Sequence, residues 1–241
     1  MKLLMAVCAD ENVMEYARHT LPIFKMFAKK WDADFKVLDD HSYDKLGYNM
    51  FNYRIMEFYD LFEIYDRIFY LDSDIIINKS CPNIFNTVPY DTVGLVFEDK
   101  GSRLVDRRAR IVHIKNVYGG NESWVFGYFN GGMLMASRPH KEIFTKINGK
   151  FWGEDFKVMG AIQAHIGYQF MKQGHKYIDL GYKWNHMSMF SETWNGSPSR
   201  FDSHIIHYAG GGCFPDKGGR SRVQLIKDDI IKIYGRLETE E

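Results

Sequence analysis

Apolar positions along this chain switch between the short period of strands and the longer period of helices. Leu3 to Cys8 is a continuous apolar run, the pattern of a strand buried on both faces. Met14 to Lys30 carries Leu21, Phe24, Phe27 and Ala28 at helical spacing. Phe35-Lys36-Val37-Leu38 is strand-like, and Asn52 to Tyr65 sets Ile55, Phe58, Tyr59 and Phe62 on one helical stripe. The run from Arg67 to Ile77 is then almost wholly apolar, apart from Asp72-Ser73-Asp74. Such a βαβαβ succession predicts an α/β fold: a Rossmann-like, mostly parallel sheet with helices on both faces.

The second half is less regular. Val93 to Phe97 predicts a strand, and Gly101 to Gly120, polar, basic and flanked by glycine, reads as a long solvated excursion. Tyr128 to Ala136 returns to the sheet. Helices are expected over about Pro139–Ile147 and Asp155–Lys172, short strands at Tyr177–Leu180 and Ser203–His207, and a closing helix at Val223–Tyr234. No internal repeat or low-complexity linker divides the chain, so a single domain over 1–241 is expected.

Charge narrows the function. The 31 lysines and arginines balance the 31 aspartates and glutamates, which argues against a general nucleic-acid binder. Three scattered cysteines, Cys8, Cys81 and Cys213, form neither a disulfide framework nor a cysteine-rich zinc site. The apolar start is cut short by Asp10-Glu11, and the longest uncharged stretch, Ser123 to Ser137, is too short to span a bilayer. The expectation is a soluble, cytoplasmic protein without a transmembrane segment, with peripheral membrane contact left open.

The sharpest chemical feature is the carboxylate pair at the end of an apolar strand. Asp72 and Asp74 are spaced to lie on one side of an extended chain. Placing them in apolar sequence costs several kcal/mol unless a cation compensates, and hard oxygen ligands suit Mg²⁺ or Mn²⁺. Asp32-Ala33-Asp34 has the same spacing but precedes its strand, whereas open α/β sheets bind ligands at the carboxyl ends of strands. Far downstream, His207 ends a strand that runs into Gly210-Gly211-Gly212, a turn that lets backbone approach a phosphate closely. His207 is the candidate third metal ligand, and His204 its less favoured competitor.

These residues resemble the GT-A glycosyltransferases, in particular the metal-dependent retaining branch that includes glycogenin and bacterial galactosyltransferases. Tyr65-Asp66-Arg67 with Ile68 to Ile77 is similar to the strand carrying that family's DxD motif. Phe129-Asn130-Gly131-Gly132-Met133 is similar to the strand facing the donor sugar, and Ile205 to Gly210 to the late metal-binding histidine motif. Ala9-Asp10-Glu11-Asn12 resembles the turn that holds the uracil base, and Arg54 a basic residue that reaches the diphosphate.

The resemblance implies a sugar moved with retention from a nucleotide-diphosphate sugar, a UDP-sugar, to a hydroxyl of a glycan, glycoprotein or small-molecule acceptor. Asp72, Asp74 and His207 would hold Mn²⁺ or Mg²⁺. Ala9, Asp10, Asn12, Arg54, Ser73, Asn130, Gly131, Gly210 and Lys217 would contact the donor. The nucleotide would occupy about residues 1–100 and the acceptor side about 101–241.

Three departures stand out. The aspartate-glutamine pair expected beside the anomeric carbon is Ile162-Gln163, so Gln163 remains the catalytic candidate while Glu154 or Asp155 stands in for the missing carboxylate. Cys213 occupies the place of a diphosphate lysine, with Lys217, Arg220 and Arg222 as stand-ins, and Val13 replaces the expected aromatic near the first turn. Two other classes share some of these features. A haloacid-dehalogenase-like phosphatase would use Asp72 as nucleophile, and a non-catalytic nucleotide-sugar-binding protein would explain Ile162.

Overall fold

A computed structural model describes residues 1–43, 50–120, 123–155 and 161–235. In chain order the first half gives β1 (Leu3–Cys8), α1 (Met14–Lys30), β2 (Asp34–Leu38), α2 (Phe58–Leu61), β3 (Arg67–Asp72), β4 (Ile75–Ile77), α3 (Ile84–Thr87) and β5 (Thr92–Leu95). There follow α4 (Leu104–Tyr118), β6 (Met133–Ser137), α5 (Trp152–Asp155), α6 (Ala161–Gln173) and β7 (Lys176–Asp179). The chain closes with β8 (Ile205–His207), a glycine turn α7 (Ala209–Gly212) and α8 (Arg222–Tyr234).

Six strands form one sheet in the order β2-β1-β3-β6-β5-β7. β1 is parallel to β2 and β3, and β5 to β7. β6 alone runs antiparallel, against both β3 and β5. This is the mostly parallel sheet that the sequence predicts. Strand alternation sends Leu4, Ile68 and Leu134 to one face, where Phe58, Phe62, Ile111, Ile114 and Phe170 from α2, α4 and α6 cover them. Met5, Phe69 and Met133 point the other way, onto Phe24, Phe27, Leu225 and Ile226 of α1 and α8. Burying both faces requires strands without polar alternation, which is why β1 and β3 read as unbroken apolar runs.

Four expectations are corrected. The run Arg67–Ile77 is two strands: the chain turns at Ser73-Asp74, and β4 leaves the main sheet to pair antiparallel with β8, Ile75 opposite His207. The basic stretch 101–120 is no loop; α4 occupies most of it. An Asp106–Arg110 ion pair one turn apart, Lys115 in the last turn and Gly119 with φ 69° at the exit account for the helix. The helix expected over Asn52–Tyr65 is a 3₁₀ stretch at Met50–Glu57 followed by the short α2, and the one over Pro139–Ile147 is 3₁₀ at Arg138–Phe144. The expected helix Asp155–Lys172 spans parts of α5 and α6, with residues 156–160 outside the described ones. Among the described residues no helix is long and apolar enough to cross a membrane.

Candidate active site

The carboxyl ends of β1, β3 and β5 and the start of the reversed strand β6 meet at one edge of the sheet. β3 ends on Asp72, whose N–H donates to the Gly132 carbonyl at 2.8 Å and whose Oδ1 accepts from the Tyr70 hydroxyl at 2.8 Å. Thr20 donates to the Ser73 carbonyl at 2.6 Å and pins the turn that swings Asp74 round. His207, delivered by β8, completes the group: its Nε2 lies 3.2 Å from Asp74 Oδ1 and 3.7 Å from Asp72 Oδ2. One ligand atom from each residue lies within 4.8 Å of the others.

Two carboxylate oxygens and an imidazole nitrogen fit a hard-to-borderline divalent cation. Burial raises the Asp72 carboxyl above its usual range, against the pull of His207. Burial acts likewise on Asp74, but His207 and Arg222 outweigh it and hold the carboxyl below its usual range. Arg222 reaches Asp74 Oδ2 at 2.9 Å.

A chain of amides sets the tautomer of His207. The Gly132 N–H can only donate, and it donates to Asn130 Oδ1 at 3.0 Å, which leaves Asn130 Nδ2 for Glu98 Oε2 at 3.1 Å. Asn130 Oδ1 also accepts from Asn185 Nδ2 at 3.0 Å, so Asn185 turns its oxygen toward His207 Nδ1 at 2.9 Å. Nδ1 therefore carries the hydrogen, and a neutral His207 presents its Nε2 lone pair to the space between the carboxylates. Glycine is needed here for room: a Cβ on Gly132 would stand 2.3 Å from His207 Cε1 and 2.6 Å from Asp72 Oδ2.

The group opens into a cleft of about 430 Å³. Asn130, Gly131, Gln163 and Gly210, four of the sequence candidates, line it. Gln163 donates to Glu98 Oε1 at 2.9 Å and to the Phe129 carbonyl at 3.0 Å. Both partners are acceptors, so the amide orientation is fixed and Gln163 Oε1 is left facing away from them.

Other sequence candidates lie elsewhere. Asp10 forms an ion pair with the fully buried Arg54 at 3.0 Å and accepts the Asn12 N–H at 2.9 Å. Neither Ala9, Asp10, Asn12, Arg54 nor Ser73 lines the cleft, and Lys217 spends its ammonium on the Gly211 carbonyl at 2.7 Å. Asp155 ends α5, but its side chain lies outside the described residues. Ile162 faces the cleft without a carboxylate to replace the expected aspartate. His204 packs against the Trp184 ring and is not part of the Asp72, Asp74 and His207 group.

The sequence profile of glycosyl transferase family 8 matches residues 5–212. The chain belongs to glycosyl transferase family 8. Among solved structures this family 8 chain is similar to the galactosyltransferase LgtC in complex with donor and acceptor sugar analogues, at a TM-score of 0.59 and 16% identity over 99% of this chain and 98% of that one. A glycosyltransferase involved in glycosylation of the major capsid of PBCV-1 matches at a TM-score of 0.55 and 13% identity, covering 95% and 98%. Mouse xyloside xylosyltransferase 1 matches at 0.52 and 14%, covering 89% and 99%. At such identities the likeness shows the fold, which is GT-A. No curated protein sequence matches the chain. Family membership makes the protein a glycosyltransferase and disfavours the phosphatase and non-catalytic readings.

Sequence reasoning missed several residues of this family 8 site. Glu98 and Asn185, both buried, join the Asp72, Asp74 and His207 group to Gln163. Nothing in a single sequence distinguishes them from surface polar residues. Arg103, Arg107 and Arg110 line the cleft from α4. Their basic stretch is plain in the sequence, but it reads there as a solvated loop rather than as one face of a helix.

Proposed function

We propose that the enzyme transfers a sugar from a nucleotide-diphosphate donor, a UDP-sugar, to an acceptor hydroxyl with retention of configuration, in a reaction that depends on Mn²⁺ or Mg²⁺. The observation that carries this reading is one cleft holding the Asp72, Asp74 and His207 group and the orientation-locked Gln163. A divalent cation held by these three residues would act as Lewis acid toward the diphosphate.

The protein's own groups do the rest. The glycine turn at Gly210 offers backbone N–H groups to the phosphates. Asn130 and Gly131 face the sugar. The C1–O bond breaks with its electron pair remaining on the diphosphate oxygen, while the acceptor oxygen bonds to C1 from the same face. Its proton passes to the departing phosphate. Gln163 Oε1 stabilises the positive charge that grows at C1, so no strong base is required. Burial of Ile162 in the aspartate's usual place is consistent with that.

The test is transfer from a panel of nucleotide sugars with Mn²⁺, for wild type and for Asp74→Ala. Loss of UDP-sugar turnover in the variant, and in wild type treated with EDTA, supports the reading. Full activity of Asp74→Ala in EDTA would refute the metal-dependent mechanism, and an inverted product anomer would refute retention.

A further inference from the structure

The sequence stand-ins for the missing diphosphate lysine are engaged elsewhere. Lys217 donates to the Gly211 carbonyl at 2.7 Å, Arg220 pairs with Asp228 at 3.0 Å, and neither lines the cleft. Arg222 is held by Asp74 at 2.9 Å and lies over the Tyr16 ring.

The cleft's own cations come from the opposite wall. Arg103, Arg107 and Arg110 share one face of α4 and its lead-in. Arg107 is paired with Glu98 and Asp106, and Arg110 with Asp106 at 3.2 Å. Among the described residues no carboxylate lies within ion-pair distance of Arg103. Its guanidinium is aimed at the glycine turn: a Cβ built on Gly210 would stand 3.8 Å from Arg103 Nη2.

The backbone that presents Arg103 is clamped. Ser102 donates its N–H and hydroxyl to Glu192 at 3.2 and 2.5 Å. Gly101, with φ 49°, fits so closely under Trp194 that a Cβ would fall 1.9 Å from Trp194 Nε1. Three consecutive glycines beyond His207, at φ 61°, 84° and 64°, make up the turn that Arg103 approaches. An anion seated in the cleft beside the point where turn and guanidinium meet would have both backbone N–H groups and a fork of N–H donors within reach.

We propose that Arg103 binds the sugar-side phosphate of the donor and takes the place of the family's lysine from the opposite wall of the cleft. The proposal rests on the nucleotide-sugar reading above. When the C1–O bond breaks, its electron pair stays on that phosphate oxygen, and Arg103 stabilises the added charge.

Calorimetry with Mn²⁺ tests this on wild type, Arg103→Gln and Arg103→Lys, using UDP, UMP and inorganic pyrophosphate as probes. Arg103→Gln should bind UDP and pyrophosphate about tenfold or more weakly, the loss expected for one charge-assisted contact, while UMP binding stays the same. Arg103→Lys should recover part of the loss. The melting temperature reports whether the variants fold. Arg103→Gln with an unaltered preference for UDP over UMP would overturn the proposal alone. Wild type that binds neither pyrophosphate nor UDP would overturn the donor reading and this proposal with it.

Discussion

Gln163 hangs from Glu98: its amide nitrogen donates to Glu98 Oε1 at 2.9 Å, and the same carboxylate holds Asn130 through its other oxygen. Glu98 is nearly inaccessible and is also paired with Arg107. One carboxylate thus orients the Gln163 amide in the cleft and the Asn130 amide that begins the chain of contacts to His207.

Glu98→Gln should therefore damage turnover more than donor binding. The new amide brings N–H groups toward residues that already donate, and Gln163 loses its fixed orientation. The expected result is a kcat lower by roughly 10- to 100-fold, the scale of one misplaced stabilising group, with donor affinity changed less than about twofold. Steady-state kinetics beside calorimetry would read the split. An unchanged kcat would show that Gln163 needs no such anchor.

Gly132→Ala tests the packing of the metal-ligand group. Its Cβ would collide with His207 and Asp72, so the ligands must move apart. Mn²⁺ affinity should fall by about 10- to 100-fold, the usual scale for disturbed ligand positioning. Gly219→Ala, where nothing lies within 4 Å of the added methyl, is the control and should bind Mn²⁺ as wild type does. Equal affinity in all three proteins would remove Gly132 from the argument.

Acid should destabilise the fold through two buried histidines that do not line the cleft. His140 and His165 are buried, and each Nδ1 accepts a backbone N–H, from Ser137 at 3.0 Å and from Trp152 at 3.2 Å. An accepting nitrogen has no proton, and burial lowers both pKa values from the ordinary 6.5 to about 4. The unfolded chain then binds more protons across that interval. Stability is full above pH 6.5 and is lost as pH falls toward 4, at up to about 1.4 kcal/mol per pH unit for each group. Urea denaturation at several pH values measures the slope, and a flat profile through this window would contradict the assignment.

Arg200 should matter for stability without touching the cleft. It is 6% exposed, donates to both oxygens of the buried Asp229 at 2.7 and 3.0 Å, and also pairs with Asp216. Asp229 in turn accepts from the Tyr208 hydroxyl at 2.5 Å, next to His207. Arg200→Met strands Asp229 and should cost roughly 3–5 kcal/mol. The double variant Arg200→Met/Asp229→Leu should recover much of that in thermal melts. Equal melting temperatures for the two would refute the view that the stranded carboxylate is the cause.

The parallel core and the ligand group were legible because both leave strong marks. A run such as Ile68 to Leu71 is too apolar for anything but a doubly covered strand, and carboxylates at its end need compensating charge. α4 was not legible for the opposite reason. Only Ile111 and Ile114 are buried on it, and the arginines that look into the cleft read as solvent-facing charge. Glu98 and Asn185 act through hydrogen bonds between distant segments, which no local pattern encodes. The departure at position 162 was visible, but where the neighbouring Gln163 finds its support depends on strand β5 lying beside β6.

The reversed direction of β6 has a consequence for how this cleft can vary. Parallel strands bring their last residues to the ligand edge and can lengthen their following loops freely. β6 instead arrives with its beginning, and Leu71 faces Met133 in register, so Gly132 falls beside Asp72. Slipping that pairing by one residue would bring Met133 or Gly131 to the position now held by Gly132. Length changes between α4 and β6 must therefore be absorbed upstream of Asn130, and upstream also of the buried Tyr128, whose N–H is held by Asp99 at 3.1 Å.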